Sequence, residues 1–97
     1  MFRMWARLYK SGRCVGDAEY EDGAHDKSRT SKVFAGIEEF CREFDLAKPI
    51  WLDKNVSEFK KLDRTTFNQD NFIEKIPFDN MRVEVIEEDA PVNGLGV

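Results

Sequence analysis

The sequence predicts an α+β fold in which one main amphipathic helix packs on one face of an antiparallel sheet of three to five strands. Residues 2–9 and 14–21 alternate in character with a period of two, which is typical of strands. From residue 33 to 44, apolar side chains recur at helical spacing. Residues 81–87 alternate again after Pro77. With two weaker elements in between, the predicted order is β-β-α-β-α-β.

The length of 97 residues allows one domain with one modest core. We expect a single α+β domain over residues 1–89 and a flexible tail over residues 90–97, which contain one proline and two glycines. The formal net charge of −4 disfavours a stand-alone duplex-binding domain. The sequence has no apolar run near the roughly 18 residues that a membrane span needs.

The first two strands are predicted to form a hairpin with a three-residue loop, Ser11-Gly12-Arg13, which places Lys10 opposite Cys14. The predicted pairs are Met4 with Tyr20 and Ala6 with Ala18 on the core face, and Arg3 with Glu21 and Arg7 with Asp17 on the outer face. Opposite charges across neighbouring strands stabilise a sheet. We therefore predict that Arg3 and Arg7 are structural partners of acidic residues on the adjacent strands.

The main helix is predicted to begin after a cap at Thr30 or Ser31 and to end near Asp45 or Leu46. Its apolar stripe contains Val33, Phe34, Ile37, Phe40, Cys41 and Phe44, and its polar face contains Lys32, Glu38, Glu39, Arg42 and Glu43. We expect the stripe from Phe34 to Phe44 to be largely buried on the first two strands.

Beyond the helix the elements are shorter. Residues 49–52 are predicted to form a strand, and Asn55 is predicted to cap a brief helix that continues through Leu62. Residues 64–76 fit no single pattern: the start suits a strand, the middle is turn-like, and the end has no clear period.

The two cysteines, Cys14 and Cys41, lie within apolar patterns and are far apart in the sequence. A secreted domain of this size often carries four or six cysteines. Both are therefore interpreted as reduced core thiols in a cytoplasmic protein, with a single disulfide as the alternative.

Catalytic and metal-binding patterns are missing from the sequence. His25 is the only histidine and lies in a polar stretch, so a solvated loop residue is favoured over a general base. The sequence contains no zinc-ligand spacing, EF-hand loop or glycine-rich phosphate loop. We expect no enzyme activity, no catalytic residue, no metal and no cofactor.

Three aromatic residues, Trp5, Tyr9 and Trp51, form the candidate interaction surface. Trp51 fits two interpretations equally: an exposed anchor, or a residue covered by the second helix. The sequence favours a non-enzymatic protein-interaction or binding module, with a protein partner or a second copy of the chain as its ligand. The alternative is a nucleic-acid-associated protein that uses the strand face of Arg3, Trp5, Arg7 and Tyr9, as sheet-surface RNA binders do. Acidic residues on the neighbouring strands disfavour this alternative, and a small enzyme ranks third.

Four segments carry a resemblance that spans most of the chain up to Asp89. They are Met4-Trp5-Ala6-Arg7-Leu8, Lys48-Pro49-Ile50-Trp51-Leu52-Asp53, Asp70-Asn71-Phe72-Ile73-Glu74 and Glu84-Val85-Ile86-Glu87-Glu88-Asp89. In these segments the chain resembles a group of short uncharacterised bacterial proteins of anaerobic Firmicutes. The resemblance implies a bacterial cytosolic origin and transfers no functional residue.

Overall fold

A computed structural model describes residues 1–89 and contains a four-stranded antiparallel sheet in the order β2-β1-β4-β3. The strands are β1 (Phe2–Lys10), β2 (Arg13–Asp22), β3 (Arg64–Asn68) and β4 (Asn80–Glu87). The helices are α1 (Arg29–Phe44) and α2 (Asp53–Leu62), and a short 3-10 turn, Gln69–Asn71, follows β3. The predicted α+β class is confirmed. The predicted tail, residues 90–97, lies outside the described residues.

The β1–β2 hairpin reaches the predicted register by a different route. Its turn has two residues, Ser11 and Gly12, whose positive φ angles of 51° and 78° fit a type I′ turn. Lys10 therefore pairs with Arg13, and a bulge between Leu8 and Tyr9 restores the offset. All four predicted pairs beyond the bulge are confirmed: Met4 with Tyr20, Ala6 with Ala18, Arg3 with Glu21, and Arg7 with Asp17. The predicted three-residue loop is wrong, because a shorter turn plus one extra strand residue gives the same register.

The core lies between the sheet and the helices. Its buried apolar side chains are Phe2, Met4, Ala6, Leu8, Val33, Ile37, Phe40, Cys41, Phe59, Phe67, Phe72, Ile76, Phe78, Met81, Val83 and Val85. Phe40 is fully buried, as predicted, and Phe44 is half-buried. Phe34 is 53% exposed, so its predicted burial is wrong. Successive residues on a helix point about 100° apart, and Phe34 follows the buried Val33 on the flank of the stripe.

The first half of α1 packs closely against β1 and the loop after β2, and this includes Lys32, which the hydropathy pattern places on the polar face. A Cβ atom on Gly36 would lie 2.6 Å from Met4 Sδ, so glycine is what permits this approach of α1 to β1. Lys32, predicted on the polar face, is 1% exposed, and its Nζ donates to Ala24 O and Asp89 Oδ2, both at 2.6 Å. The helix cap is Ser28, whose side chain accepts from Ser31 N, and not Thr30 or Ser31 itself.

Residues 49–52 do not form the predicted strand. Ile50 is instead held by Asn71 of the 3-10 turn: Ile50 N donates to Asn71 O at 2.6 Å, and Asn71 Nδ2 donates to Ile50 O at 2.7 Å. The strand that completes the sheet is β3, inside the segment that fitted no single pattern. The observed order of the main elements is therefore β-β-α-α-β-β.

A buried amide network fixes this segment to the sheet. The predicted cap at Asn55 is wrong in position, because α2 begins at Asp53 with Leu52 as its N-cap. Asn55 is the third residue of the helix, and its Oδ1 accepts from Leu52 N at 3.1 Å and also from Asn71 Nδ2 at 2.8 Å. Its Nδ2 donates to Thr65 Oγ1 at 2.8 Å and to Thr66 O at 3.1 Å. Asn55 is fully buried, and all of its hydrogen-bonding groups are satisfied. One side chain thus joins α2, β3 and the 3-10 turn.

Candidate functional site: an apolar groove between the helices

The two helices cover different parts of the sheet, and Trp51 lies between them. α1 packs on β1 and β2, whereas α2 packs on β3. The half-buried Trp51 ring makes edge-to-face contacts with Phe34 of α1 at 5.8 Å, Phe59 of α2 at 5.6 Å and Phe67 of β3 at 5.1 Å between ring centroids. Trp51 thus contacts both helices and β3, and its ring is only partly buried.

Two depressions share Phe34 and Trp51 as a common wall, and together we call them the Phe34–Trp51 groove. The first has a volume of about 250 Å³ and the second about 280 Å³. The apolar lining of the first is Val33, Phe34, Trp51, Val56 and Phe59, and that of the second is Phe34, Ile37, Pro49 and Trp51. Each is smaller than the roughly 300–1,000 Å³ of typical small-molecule pockets. Each therefore suits a single apolar side chain better than a drug-sized ligand.

The groove wall exposes large apolar side chains. Phe34 is 53% exposed and Val56 is 39% exposed, and Ile50, next to Trp51 in the chain, is 46% exposed. A single exposed apolar residue needs no explanation, but a concave cluster of them is typical of an interaction site.

Three of the four charged residues that line the groove, Arg29, Glu38 and Lys48, are engaged in ion pairs, whereas Lys60 has no carboxylate oxygen within 4.0 Å among residues 1–89. Arg29 Nη2 lies 2.7 Å from Asp63 Oδ1 and 3.0 Å from Glu88 Oε2, and its guanidinium lies over the Phe59 ring at 5.7 Å. Lys48 Nζ lies 3.0 Å from Glu38 Oε2, and this contact lowers the pKa of the Glu38 carboxyl. These pairs frame the groove on the sides of both helices.

Of the groove residues, the sequence predicts Trp51 as a site residue but not Phe34 or Val56. The available signal was the width of the α1 pattern, because Val33 and Phe34 are adjacent and cannot both face the centre of one contact. An apolar stripe of this width indicates either that a second element covers one side of the helix or that one side of the stripe is exposed. In the structure that side, at Phe34, is exposed.

Trp5 and Tyr9 lie on the other face of the sheet, which neither α1 nor α2 covers and which we call the open face. They are half-buried on β1, and the Arg7 guanidinium lies over the Trp5 ring at 4.5 Å. Trp51 contacts Phe67, whose side chain is in the core on the helix side. The three predicted aromatic residues therefore belong to two separate surfaces.

On the open face Arg3 and Arg7 differ in their partners. Arg3 contacts Glu21 at 2.8 Å, Glu87 at 3.0 Å and Glu19 at 3.2 Å, and its pKa is raised, first by the charge of Glu21. Arg7 is in register with Asp17, but within residues 1–89 no carboxylate oxygen lies within 4.0 Å of it. The predicted pairing with acids is confirmed for Arg3 and wrong for Arg7, which packs on Trp5 instead.

The cysteines also differ. Both thiols are free; Cys41 is buried in the core, and desolvation raises its pKa to about 11. Cys14 is exposed, so its predicted core position is wrong. The hairpin bulge pairs Cys14 with Tyr9, which moves it from the core side to the open face. His25 lies exposed in the loop between β2 and α1.

Within residues 1–89 no cluster of three or more His, Cys, Asp and Glu side chains is placed to hold a metal ion. No α-helix among these residues has the length and apolar character needed to cross a membrane. Comparison of the chain with protein-family models, with curated proteins and with solved structures finds no match in any of the three.

Proposed function

We propose that this protein is a non-enzymatic protein-interaction module and that its Phe34–Trp51 groove binds apolar side chains of a partner protein or of a second copy of the chain. The observation that carries the proposal is the 53% exposure of Phe34 at the wall of a groove whose lining is mostly apolar. Burying such a ring in a complex is favourable, at about 25 cal/mol per Å² of apolar surface removed from water.

The size of the groove supports a macromolecular ligand. Two depressions of about 250 and 280 Å³ that share one wall suit two anchoring side chains from one segment. An amphipathic helix with apolar residues on successive turns presents anchors in this way. The free thiols and the segments that resemble bacterial proteins support, in addition, a bacterial protein that works in the cytoplasm.

The test is recovery of a partner from native lysate by the wild-type chain and by two serine variants. Phe34→Ser removes an apolar wall of the groove, and Ile73→Ser removes an 89% exposed apolar side chain that does not line it. We expect one specific partner, identified by mass spectrometry, that the wild type and Ile73→Ser retain and Phe34→Ser loses. Self-association is read from the molar mass in solution and should show the same dependence. Equal recovery with all three proteins shows that the groove does not bind the partner.

Association with nucleic acid through the open face is the second candidate function. It is favoured by Arg7, Arg64 and Arg82, none of which has a carboxylate oxygen within 4.0 Å among residues 1–89. It ranks second because three carboxylates surround Arg3 and the net charge is −4. Salt-sensitive binding of single-stranded RNA by the wild type, lost in the Arg3→Glu/Arg7→Glu double variant, would promote it to first.

A further inference from the structure

Two arginines on the open face lie directly opposite each other on neighbouring strands. Arg7 of β1 is in register with Arg82 of β4, and Arg82 is in turn in register with Thr66 of β3. Like charges directly opposite in a sheet repel and destabilise it. The register therefore places two positive charges at neighbouring positions, and an anion bound between them would offset their repulsion.

The described chain does not supply that anion. Within residues 1–89 neither Arg7 nor Arg82 has a carboxylate oxygen within 4.0 Å, whereas Arg3 has three. The neighbouring carboxylates are Asp17, in register with Arg7 on β2, and Glu84, two residues from Arg82 on β4. Arg7 lies over Trp5 and not against Asp17, so its charge is not consumed by an ion pair.

Residues with neutral hydrogen-bond donors occupy register positions next to the two arginines on the same face. Thr66 lies beside Arg82, and Tyr9 and Asn80 form the next pair along β1 and β4 on the same face. Their hydroxyl, phenol and amide groups make no side-chain hydrogen bond within residues 1–89. We call these five residues the Arg7–Arg82 patch. It combines two permanent positive charges with three uncommitted donors.

We propose that the Arg7–Arg82 patch binds a small, doubly charged tetrahedral oxyanion, namely a phosphate group that is free or carried by a small monoester. Two guanidiniums match its two charges, and its several oxygens accept from both forks and from the neutral donors. A carboxylate carries only one charge. A long polyanion along the face meets the acidic side chains of Asp17, Glu19 and Glu21 on β2, so a small phosphate is favoured over a nucleic-acid strand.

The test is an NMR titration with inorganic phosphate at low millimolar concentration and constant ionic strength. We expect saturable shifts at the Nε–H groups of Arg7 and Arg82 and at the Thr66 amide. Arg82→Gln should weaken binding by about two- to fivefold, as expected for one exposed charge contact. Arg42→Gln makes the same change in net charge on α1, where Arg42 pairs with Glu39, and should leave binding unchanged.

Further arms of the titration identify the source of the phosphate. Phosphoserine that binds like inorganic phosphate supports a small monoester as the ligand. A ten-nucleotide thymidine strand that binds tighter than both, with the binding lost in Arg82→Gln, overturns the preference for a small ligand. Shifts that do not saturate, or that weaken equally in Arg42→Gln, show an ion atmosphere only and overturn the site.

Two further measurements make the test of this proposal independent of the groove. Phe34→Ser, which tests the groove, should bind phosphate like the wild type. Arg82→Gln should melt in chloride at the wild-type temperature or above it, because it removes the repulsion from Arg7. A clear drop in melting temperature would show that Arg82 has a structural partner and would overturn the proposal.

Discussion

Phe34 and Phe40 are on the same helix, six residues apart, yet one lines an open groove and the other is fully buried. Helical spacing places both in one apolar stripe, so the pattern alone gives them the same environment. What separates them is the sheet beneath α1, which covers the centre of the stripe and leaves its flank on the side of Trp51 open. The difference is measurable as a difference in stability.

Phe40→Ala should lower the free energy of unfolding by about 3–5 kcal/mol, because it leaves a cavity in a close-packed core. Phe34→Ala, the matched control on the same helix, should cost less than about 1 kcal/mol, since its ring is already half in water. Denaturant unfolding monitored by circular dichroism measures both. Equal costs would mean that the buried face of α1 is assigned wrongly.

The two thiols should differ sharply in reactivity. Cys14 is exposed and should react with a thiol reagent in the native protein, whereas Cys41 should react only after unfolding. Burial and a pKa of about 11 both keep Cys41 unreactive at neutral pH, since the thiolate is the reactive form. Cys14→Ser should abolish the native reaction and Cys41→Ser should not. Two fast-reacting thiols in the native wild type would contradict the burial of Cys41.

At the scale of elements, the β1–β2 hairpin shows that the sequence encodes the register of a strand pair more clearly than the length of its turn. The period-two alternation correctly predicted four pairs, because a slip by one residue would turn Phe2, Met4, Ala6 and Leu8 out of the core. The turn length was not predictable in the same way. A three-residue loop and a two-residue turn with a bulge give the same register, and only the second moves Cys14 to the open face.

Arg3→Glu should lower the melting temperature by several degrees and Arg7→Glu should change it little. The first variant places a carboxylate among Glu19, Glu21 and Glu87, so three attractions become repulsions. The second trades the repulsion between Arg7 and Arg82 for one with Asp17. High salt should reduce the difference in melting temperature between the two variants, since it screens exposed charges. Equal shifts at low salt would contradict the contacts of Arg3.

The connection from α1 to α2 was predicted least well, for a reason that lies outside its own residues. Residues 49–52 have the apolar character of a short strand, but they do not pair with any strand of the sheet. Ile50 pairs with Asn71, more than twenty residues away, through both backbone and side chain. A local pattern contains no information about such a partner, whereas a role for Asn55 near the start of α2 could be recognised because its bond to Leu52 N is local, although the pattern misplaced the cap itself.

Asn55→Ala should destabilise the fold by about 1–3 kcal/mol for each buried group left without a partner. The amides of Leu52 and Asn71 lose their shared acceptor, and Thr65 and Thr66 lose a donor. Lys54→Ala, an exposed neighbour on the same helix, should stay within about 0.5 kcal/mol of wild type. Denaturant unfolding compares them, and a neutral Asn55→Ala would mean that water replaces the network.

At the scale of the whole molecule, the sheet has one face closed by two helices and one face open, and each carries a candidate surface. Alternation predicted the shared face of most strand residues but not that of Cys14, which the bulge moves to the open face. It did not predict that Trp51 would contact both helices and β3, because that depends on four rings from four parts of the chain. The groove is therefore a property of the assembled fold, whereas the Arg7–Arg82 patch follows from strand register alone.

Ion pairs and hydrogen bonds of four carboxylates make the stability of the fold depend on acid pH. The pKa values of Asp22, Glu38, Glu87 and Asp89 are all lowered from ordinary values of 3.8 to 4.5. For Asp22 the first cause is a hydrogen bond from Lys27, followed by bonds from the Ala24 amide and the Tyr20 hydroxyl. Folding thus favours the charged carboxylates, so the unfolded chain binds more protons in acid.

This stabilisation is present above about pH 4.5, the ordinary pKa of the glutamates, and is lost as the pH falls through the lowered pKa values of the folded state. Melting temperature should therefore be nearly constant from pH 7 to about pH 5 and fall increasingly below pH 4. Asp22→Asn should flatten the decline, because Lys27 Nζ, 2.6 Å from Asp22 Oδ2, loses its charged partner at every pH. Asp26→Asn, an exposed change in the same loop, should leave the wild-type curve unchanged. If Asp22→Asn kept the full acid dependence, the coupling between proton binding and folding would have to come from the other three carboxylates. The contacts of Asp22 would then be too weak in solution to order the loop between β2 and α1.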